Sequence, residues 1–293
     1  EGHAPLMIRG RNPLRSIDYK TPVASAQIKS AVLLAGLYAD DMTTVTESEK
    51  TRDHTERMLE LFGISLERRG PEGNSIAIKA GQPISPGVFN VPADISAGAF
   101  FMVGAACLPD SDVTLSAVGL NPSRSAMIKV LNGLGIKTEI IGLEDRSNEP
   151  TATIRIRGGI HQNGFGGPAR LSGPLIPNLI DEIPILAILG TQLHDGLEVR
   201  DAAELRQKET DRISAIVTNL KLMGASVTEF PDGFFVEASK LTGANIESFG
   251  DHRIAMAFAI AGLLAEGETE ILGAECVDIS FPGFNDILND LLN

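Results

Sequence analysis

Tryptophan is absent from the chain, tyrosine occurs twice, and aromatics reach only 5% of 293 residues. The interior must therefore be built from Ala, Leu, Ile and Val lying close to backbone, with turns shaped by 30 glycines. Cysteine is almost as scarce. Cys107 and Cys276 stand in apolar or mixed segments without a second Cys or a His nearby. That setting predicts free thiols in a reducing compartment and argues against a zinc site. Neither has the neighbours of an activated nucleophile. The five histidines (His3, His54, His161, His194 and His252) lack metal-ligand spacing. Long apolar runs are missing too: Ala97–Leu108 and Ile254–Ala265 are too short to span a bilayer, and no signal peptide is visible. Positive charge is in deficit, with 25 Lys and Arg against 38 Asp and Glu and a net charge of -13. Such a surface repels nucleic acid and anionic membranes and predicts a cytoplasmic protein. A binder of small anions would have to gather its few cations in one place.

What is present is a packed globular chain, 43% hydrophobic and 22% charged, outside the disordered range. One kind of segment recurs, a small polar cap followed by an apolar, Ala/Gly-rich helix. It starts at Ser25, Asp94, Asp181 and Asp251. Between these lie amphipathic helices predicted over 53–62, 123–134 and 209–223, each closed by an apolar residue and a glycine: Phe62-Gly63, Leu134-Gly135 and Met223-Gly224. Alternating runs such as SIAIKA, TATIRIR and GFFVEAS follow and read as strands. The unit is βαβαββ. A helix apolar on all sides must be buried, so the fold class predicted is α/β, an inside-out α/β barrel of repeated βαβαββ units with buried apolar helices surrounded by sheets. The Pro/Gly/Ser-rich stretch Pro83–Gly87 marks a boundary. It divides an incomplete N-terminal domain, 1–87, from a C-terminal domain, 88–293.

The segment LRQKETDR, residues 205–212, carries the strongest chemical signal. Lys208 and Arg212 are i and i+4, which predicts one shared helix face, and Glu209 is i−3 to Arg212. Two readings stand. The helix is a self-paired solvated surface, or cations in a first turn whose dipole already favours anions enclose a phosphate or carboxylate. Asp251-His252-Arg253 repeats the pattern: Asp251 caps the helix, and Arg253 needs a partner that Asp251 could supply. At a third helix start Ser25 and Gln27 offer a hydroxyl and an amide around Ala26, with Lys29 just inside. Arg52 opens the first amphipathic helix, where a surface ion pair is the simpler reading. Asp181 is either an N-cap or, beside cations and a hydroxylated ligand, a general base. The stretch GIHQNGFGG, 159–167, lacks a phosphate-loop lysine and reads as a flexible turn.

The motifs PVASAQIKSAVLLAGL (22–37), KTRDHTERML (50–59), LIDEIPILA (179–187), QKETDRI (207–213) and GDHRIAMAFA (250–259) run in order along the chain. On them the sequence resembles the enolpyruvyl transferases, and among these the class II bacterial branch of the shikimate pathway. The resemblance implies a transferase of aromatic amino acid biosynthesis. It would pass the enolpyruvyl group of phosphoenolpyruvate to the 5-hydroxyl of shikimate 3-phosphate and release phosphate, without metal or organic cofactor. It further implies that Ser25, Ala26, Gln27 and Arg52 hold shikimate 3-phosphate, that Asp181 takes the hydroxyl proton, and that Lys208 touches both substrates' reacting region. Glu209 would move a proton at the methylene carbon, while Gln27, Arg212 and Arg253 grip phosphoenolpyruvate. Ile279 stands before Ser280-Phe281-Pro282, where some family members carry a lysine. The family's early Lys-Ser…Arg segment and phosphate loop are not in these residues, and the chain begins at Glu1. It is therefore expected to be the C-terminal two-thirds, inactive alone, with the remaining N-terminal portion as its possible partner. The alternatives are a sibling acting on a UDP-amino sugar, which uses a loop cysteine, and a non-catalytic anion-binding remnant.

Overall fold

Ser25, Asp94, Asp211 and Asp251 each accept a hydrogen bond from a backbone N–H of the helix they precede. In a computed structural model, which describes residues 5–160 and 167–292, the chain divides into two compact units: one of residues up to Val91 together with Asp145–Glu149, the other of Pro92–Glu144 and residues from Pro150 on. The 161–166 part of the glycine-rich stretch, His161 included, lies outside the described residues.

The first unit runs β1 (Asp18–Lys20), α1 (Ala26–Gly36), β2 (Thr43–Thr46), α2 (His54–Leu61), β3 (Leu66–Arg69) and β4 (Ser75–Ile78). Its sheet has the order β1-β2-β4-β3, with β1 parallel to β2 and the other pairs antiparallel. The second unit begins with α3 (Ile95–Cys107), β5 (Asp112–Gly119), α4 (Ala126–Gly133), β6 (Thr138–Arg146) and β7 (Glu149–Arg157), of which the turn 145–149 belongs to the first unit. It continues with β8 (Ala169–Leu171), α5 (Ile183–Gln192), β9 (Leu197–Val199), α6 (Arg212–Leu222), β10 (Val227–Phe230) and β11 (Gly233–Val236). It closes with β12 (Asn245–Glu247), α7 (His252–Leu264), β13 (Glu270–Leu272) and α8 (Phe284–Leu292).

The repeat is visible in the sheets. Order β8-β9-β11-β10 reproduces β1-β2-β4-β3 strand for strand, parallel pair included. In the order β5-β7-β6 the leading strand has shrunk to a single parallel bridge, Ala93 to Val118. The last repeat keeps only the parallel pair β12–β13. The glycines closing the amphipathic helices, Gly63, Gly135 and Gly224, have φ of 87°, 77° and 81°, the left-handed turn that stops a helix.

Three apolar helices, α3, α5 and α7, pack on one another inside the second unit, with their side chains almost wholly buried. Sheets and amphipathic helices cover them, which is the inside-out α/β arrangement expected from the all-round apolar pattern. Close approach there depends on Gly190 of α5: a Cβ at that position would stand 2.6 Å from Val236 Cγ1 and 2.7 Å from Leu197 Cβ. The first helix departs from expectation. In α1 only Lys29, Leu33 and Gly36 are buried, and Leu34, like Tyr38 just beyond the helix, is exposed. An apolar surface makes burial favourable but does not supply the partner that covers it. Among the described residues no helix is long and apolar enough to cross a membrane.

Candidate functional site

In the second unit, side chains from two successive repeats converge on Arg212. This arginine is the first residue of α6, whose cap Asp211 accepts from the Ser214 N–H at 3.0 Å. Its guanidinium is 1% exposed. Nε donates to Asp251 Oδ2 at 2.7 Å, Nη2 donates to Glu209 Oε2 at 2.6 Å, and Nη1 lies 3.7 Å from Asp181 Oδ1. Nη1 has no hydrogen-bond partner although it is buried. A second guanidinium, Arg253, approaches Asp181 at 3.6 Å and donates from Nη1 to the Asp181 carbonyl at 3.2 Å. Asp251 caps α7 through the Arg253 N–H at 2.8 Å. Its carboxylate is thus shared between a helix start and the Arg212 guanidinium.

Both guanidiniums sit at helix N-termini, α6 and α7, where the dipole repels cations. Three carboxylates offset that repulsion, and two of them, Asp181 and Glu209, remain accessible at 16% and 50% of their side-chain surface. An arginine donor left unsatisfied in a buried position costs free energy until an acceptor arrives. An anion carrying several oxygens is the acceptor this geometry suits, because guanidinium forks match carboxylate and phosphate. Burial, aided by Arg253, pushes the His252 imidazole below its ordinary range, which avoids adding another cation.

Next to Asp181 in sequence, Glu182 anchors a polar network that runs from a buried end at Glu182 and Ser96 to an exposed one at Asp94. Ser96, in the first turn of α3, donates to Glu182 Oε1, and Arg124 donates to Ser96 Oγ and at 3.0 Å to Asp94, the cap of α3. Burial holds the Glu182 carboxyl above the usual carboxylate range, against the opposing effect of the Ser96 bond and the Arg124 charge. Sequence reasoning missed this network. Its signals were an apolar helix opened by Asp94 and Ser96, and an acid directly before Ile183-Pro184.

Several predicted placements are corrected. Lys208 and Arg212 do not share a helix face: residues Ala203–Gln207 form a 3-10 turn, Lys208 is extended, and the α-helix starts only at Arg212. Lys208 pairs with Glu204 instead. Asp181 is not an N-cap. Glu182 occupies that position without a side-chain cap bond, and Pro184 supplies the preset first turn. Asp251 does not neutralise Arg253 through its side chain; the cation it pairs with is Arg212, and Arg253 faces Asp181.

The first unit holds the other predicted residues. Ser25 caps α1, its Oγ accepting from the Ile28 N–H at 3.4 Å, with Ala26 and Gln27 as the first two helical residues. Arg52 is half-buried in the loop before α2, whose cap is Asp53, so it precedes the helix rather than opening it. Among the described residues no group of His, Cys, Asp and Glu has the makings of a metal site. Neither cysteine is in an exposed loop: Cys107 ends α3 and Cys276 is buried. Burial pushes the Cys107 thiol up to about 12 and raises that of Cys276.

Comparison with known proteins places these residues in context. The family model described as EPSP synthase (3-phosphoshikimate 1-carboxyvinyltransferase) matches residues 1–288. A protein named 3-phosphoshikimate 1-carboxyvinyltransferase from Pelotomaculum thermopropionicum is 49% identical over 286 residues, 97% of this chain and 64% of the relative. One of the same name from Koribacter versatilis is 47% identical over all 293 residues, covering 66% of the relative. A solved EPSP synthase from Acinetobacter baumannii superposes with a TM-score of 0.87 at 40% identity, over 99% of this chain and 65% of that one. The chain thus spans just under two thirds of the length of the relatives it matches.

Proposed function

The chain belongs to the EPSP synthase family, and from that premise we propose that it carries part of the machinery for one reaction. The enolpyruvyl group of phosphoenolpyruvate passes to the 5-hydroxyl of shikimate 3-phosphate, and inorganic phosphate leaves. The observation that carries the reading is the buried Arg212 guanidinium, with an unsatisfied Nη1 beside the Asp181 carboxylate and a second arginine on the same acid. A multiply charged anion placed there meets donors, and the acid that can take a proton lies next to it.

In this reading Asp181 accepts the proton of the 5-hydroxyl as its oxygen attacks C2 of phosphoenolpyruvate, and Glu209 delivers a proton to the methylene carbon. The tetrahedral adduct collapses when that proton is withdrawn and the C–O bond to phosphate breaks. Arg212 and Arg253 hold phosphoenolpyruvate, joined by Gln27, and Lys208 contacts both reacting groups. Ser25, Ala26, Gln27 and Arg52 hold shikimate 3-phosphate. Fixed guanidiniums stabilise charge developing on the adduct without reorganising. The third of the relatives' length that this chain does not span supplies the remaining cations, joined to it or as a separate partner chain. Residues 1–87 belong with that portion in one domain, and 88–293 form the other apart from 88–91 and the turn Asp145–Glu149, which cluster with the first unit. A UDP-amino sugar transferase is disfavoured by the positions of both cysteines.

The test is phosphate release that depends on both substrates, measured for the chain alone and mixed with the remaining third of a relative. Turnover is expected in the mixture, with Asp181→Asn abolishing it. A mixture of folded components that binds shikimate 3-phosphate but releases no phosphate refutes catalysis and leaves an anion-binding remnant.

A further inference from the structure

After Arg212, the largest fully buried charged side chain is Lys29, 1% exposed, in the first unit. Its Nζ lies 3.0 Å from Glu47 Oε2 and 2.8 Å from Glu56 Oε1, both carboxylates being as buried as the lysine. One cation thus serves two acids, and Glu56 Oε2 has no hydrogen-bond partner. As a stabilising device this is poor, because desolvating three charges with one left over costs more than a well-packed apolar trio would. The connections it makes are the informative part. The Lys29 N–H donates to the Ser25 carbonyl at 3.1 Å, so the lysine is built onto the turn that presents Ser25, Ala26 and Gln27. Glu47, at the end of β2, receives through Oε1 the Thr51 N–H at 3.2 Å and the Thr51 hydroxyl. Thr51 is the residue before Arg52. Glu56 lies in the first turn of α2, on the other side of Arg52. A hydroxyl pair at 2.6 Å, Ser30 with Thr55, joins the same two helices.

We propose that Lys29 is a positioning residue: through Glu47 and Glu56 it fixes the Arg52 loop against the start of α1, so that the groups for the phosphorylated substrate stand preformed. This rests on the function proposed above. Ordering that loop only on binding would draw on binding free energy; a buried triad orders it beforehand. The fixed point is internal to the first unit, which carries Ser25, Ala26, Gln27 and Arg52 for shikimate 3-phosphate but only Gln27 for phosphoenolpyruvate, so the residue acts mainly on the first substrate and not on the chemistry.

The test uses the chain with Lys29→Met, mixed with the remaining third of a relative, and initial rates in both substrates. The expected result is a rise of about tenfold or more in KM for shikimate 3-phosphate, the scale of one lost charged hydrogen bond, with kcat and KM for phosphoenolpyruvate changed by less than about threefold. A triple variant, Lys29→Met with Glu47→Gln and Glu56→Gln, removes every charge of the trio. It is expected to regain thermal stability relative to Lys29→Met while keeping the raised KM, which a merely structural role would not produce. An unchanged KM for shikimate 3-phosphate, or equal losses for both substrates that track stability, overturns the proposal. Where the wild-type mixture shows no turnover, the function reading fails on its own, and amide exchange in the chain alone decides the positioning role. Lys29→Met is then expected to speed exchange at Thr51 about tenfold or more while the amides of β4 stay protected. Unchanged exchange at Thr51 overturns it.

Discussion

Replacing Asp251 with alanine strips a fully buried carboxylate from two jobs at once. It removes the acceptor at 2.7 Å from Arg212 Nε and the cap at 2.8 Å from the Arg253 N–H. Removing one partner of a buried ion pair typically costs about 3–5 kcal/mol. Glu209 at 2.6 Å and Asp181 at 3.7 Å still face the guanidinium, which puts this case at the lower end, about 3 kcal/mol. Losing the N-cap adds about 1 kcal/mol. Together these give about 4 kcal/mol, a large share of the 5–15 kcal/mol that usually holds a domain together. Urea denaturation followed by far-UV circular dichroism reads it. With a slope of about 2–3 kcal/mol per molar, the midpoint falls by about 1.3–2 M. Asp251→Asn keeps the cap acceptor and is expected to lose less. The decisive comparison is the cycle with Arg212→Met. The double variant should be more stable than the sum of the single losses predicts, by about 1.5 kcal/mol or more, because the orphaned charge is gone. Additivity to within about 0.5 kcal/mol would refute the view that the two groups are held together as a unit.

Three further outcomes follow from the same geometry. Gly190→Ala forces a Cβ into Val236 and Leu197 and is expected to cost about 1–3 kcal/mol; Gly133→Ala, at the end of α4 with open space around it, should be neutral or gain up to about 1 kcal/mol, and equal effects in thermal melts would sink the contrast. Burial raises the Glu182 carboxyl above its ordinary range, so the stability it contributes is complete below the unfolded pKa and is lost as pH rises through the folded one. Glu182→Gln should therefore gain on the wild type as pH rises above the ordinary carboxylate range in urea titrations, and a difference independent of pH contradicts this. With the Cys107 thiol pushed up to about 12 and that of Cys276 also raised, alkylation of the folded chain near pH 8 should be at least about a hundredfold slower than in urea; equal rates would show that the thiols are open.

The features legible in the sequence were those determined by neighbours a few residues away. Ser25, Asp94 and Asp251 cap the helices they precede, because a short polar side chain finds its N–H within three residues. The helix-stopping glycines and the βαβαββ order follow from equally local rules. The site misled wherever a local pattern competed with tertiary bonding. The i,i+4 spacing of Lys208 and Arg212 presupposes a continuous helix, and Asp211 starts that helix three residues later. Arg253 sits beside Asp251 in sequence and gives it only a backbone bond, whereas the guanidinium that Asp251 pairs with lies 39 positions away. The exposed side of α1 shows the same boundary: the apolar pattern of IKSAVLLAGL states what the helix can bury, and only the surrounding chain decides how much of it is.

The turn Asp145–Glu149 belongs with the first unit, although the strands it joins, β6 and β7, otherwise run in the second. There Asn148 accepts from Arg57 Nη1 at 2.8 Å and donates back to the Arg57 carbonyl at 3.2 Å, and Glu149 meets His54 at 2.7 Å. A five-residue loan of this kind changes what counts as a transferable module. No single cut of the polypeptide delivers the first unit whole, because a piece ending at Val91 leaves α2 without these bonds. Any hybrid that exchanges this unit between relatives has to exchange two stretches of sequence, and drift in the hairpin turn is tied to drift in a helix some ninety residues earlier in the chain.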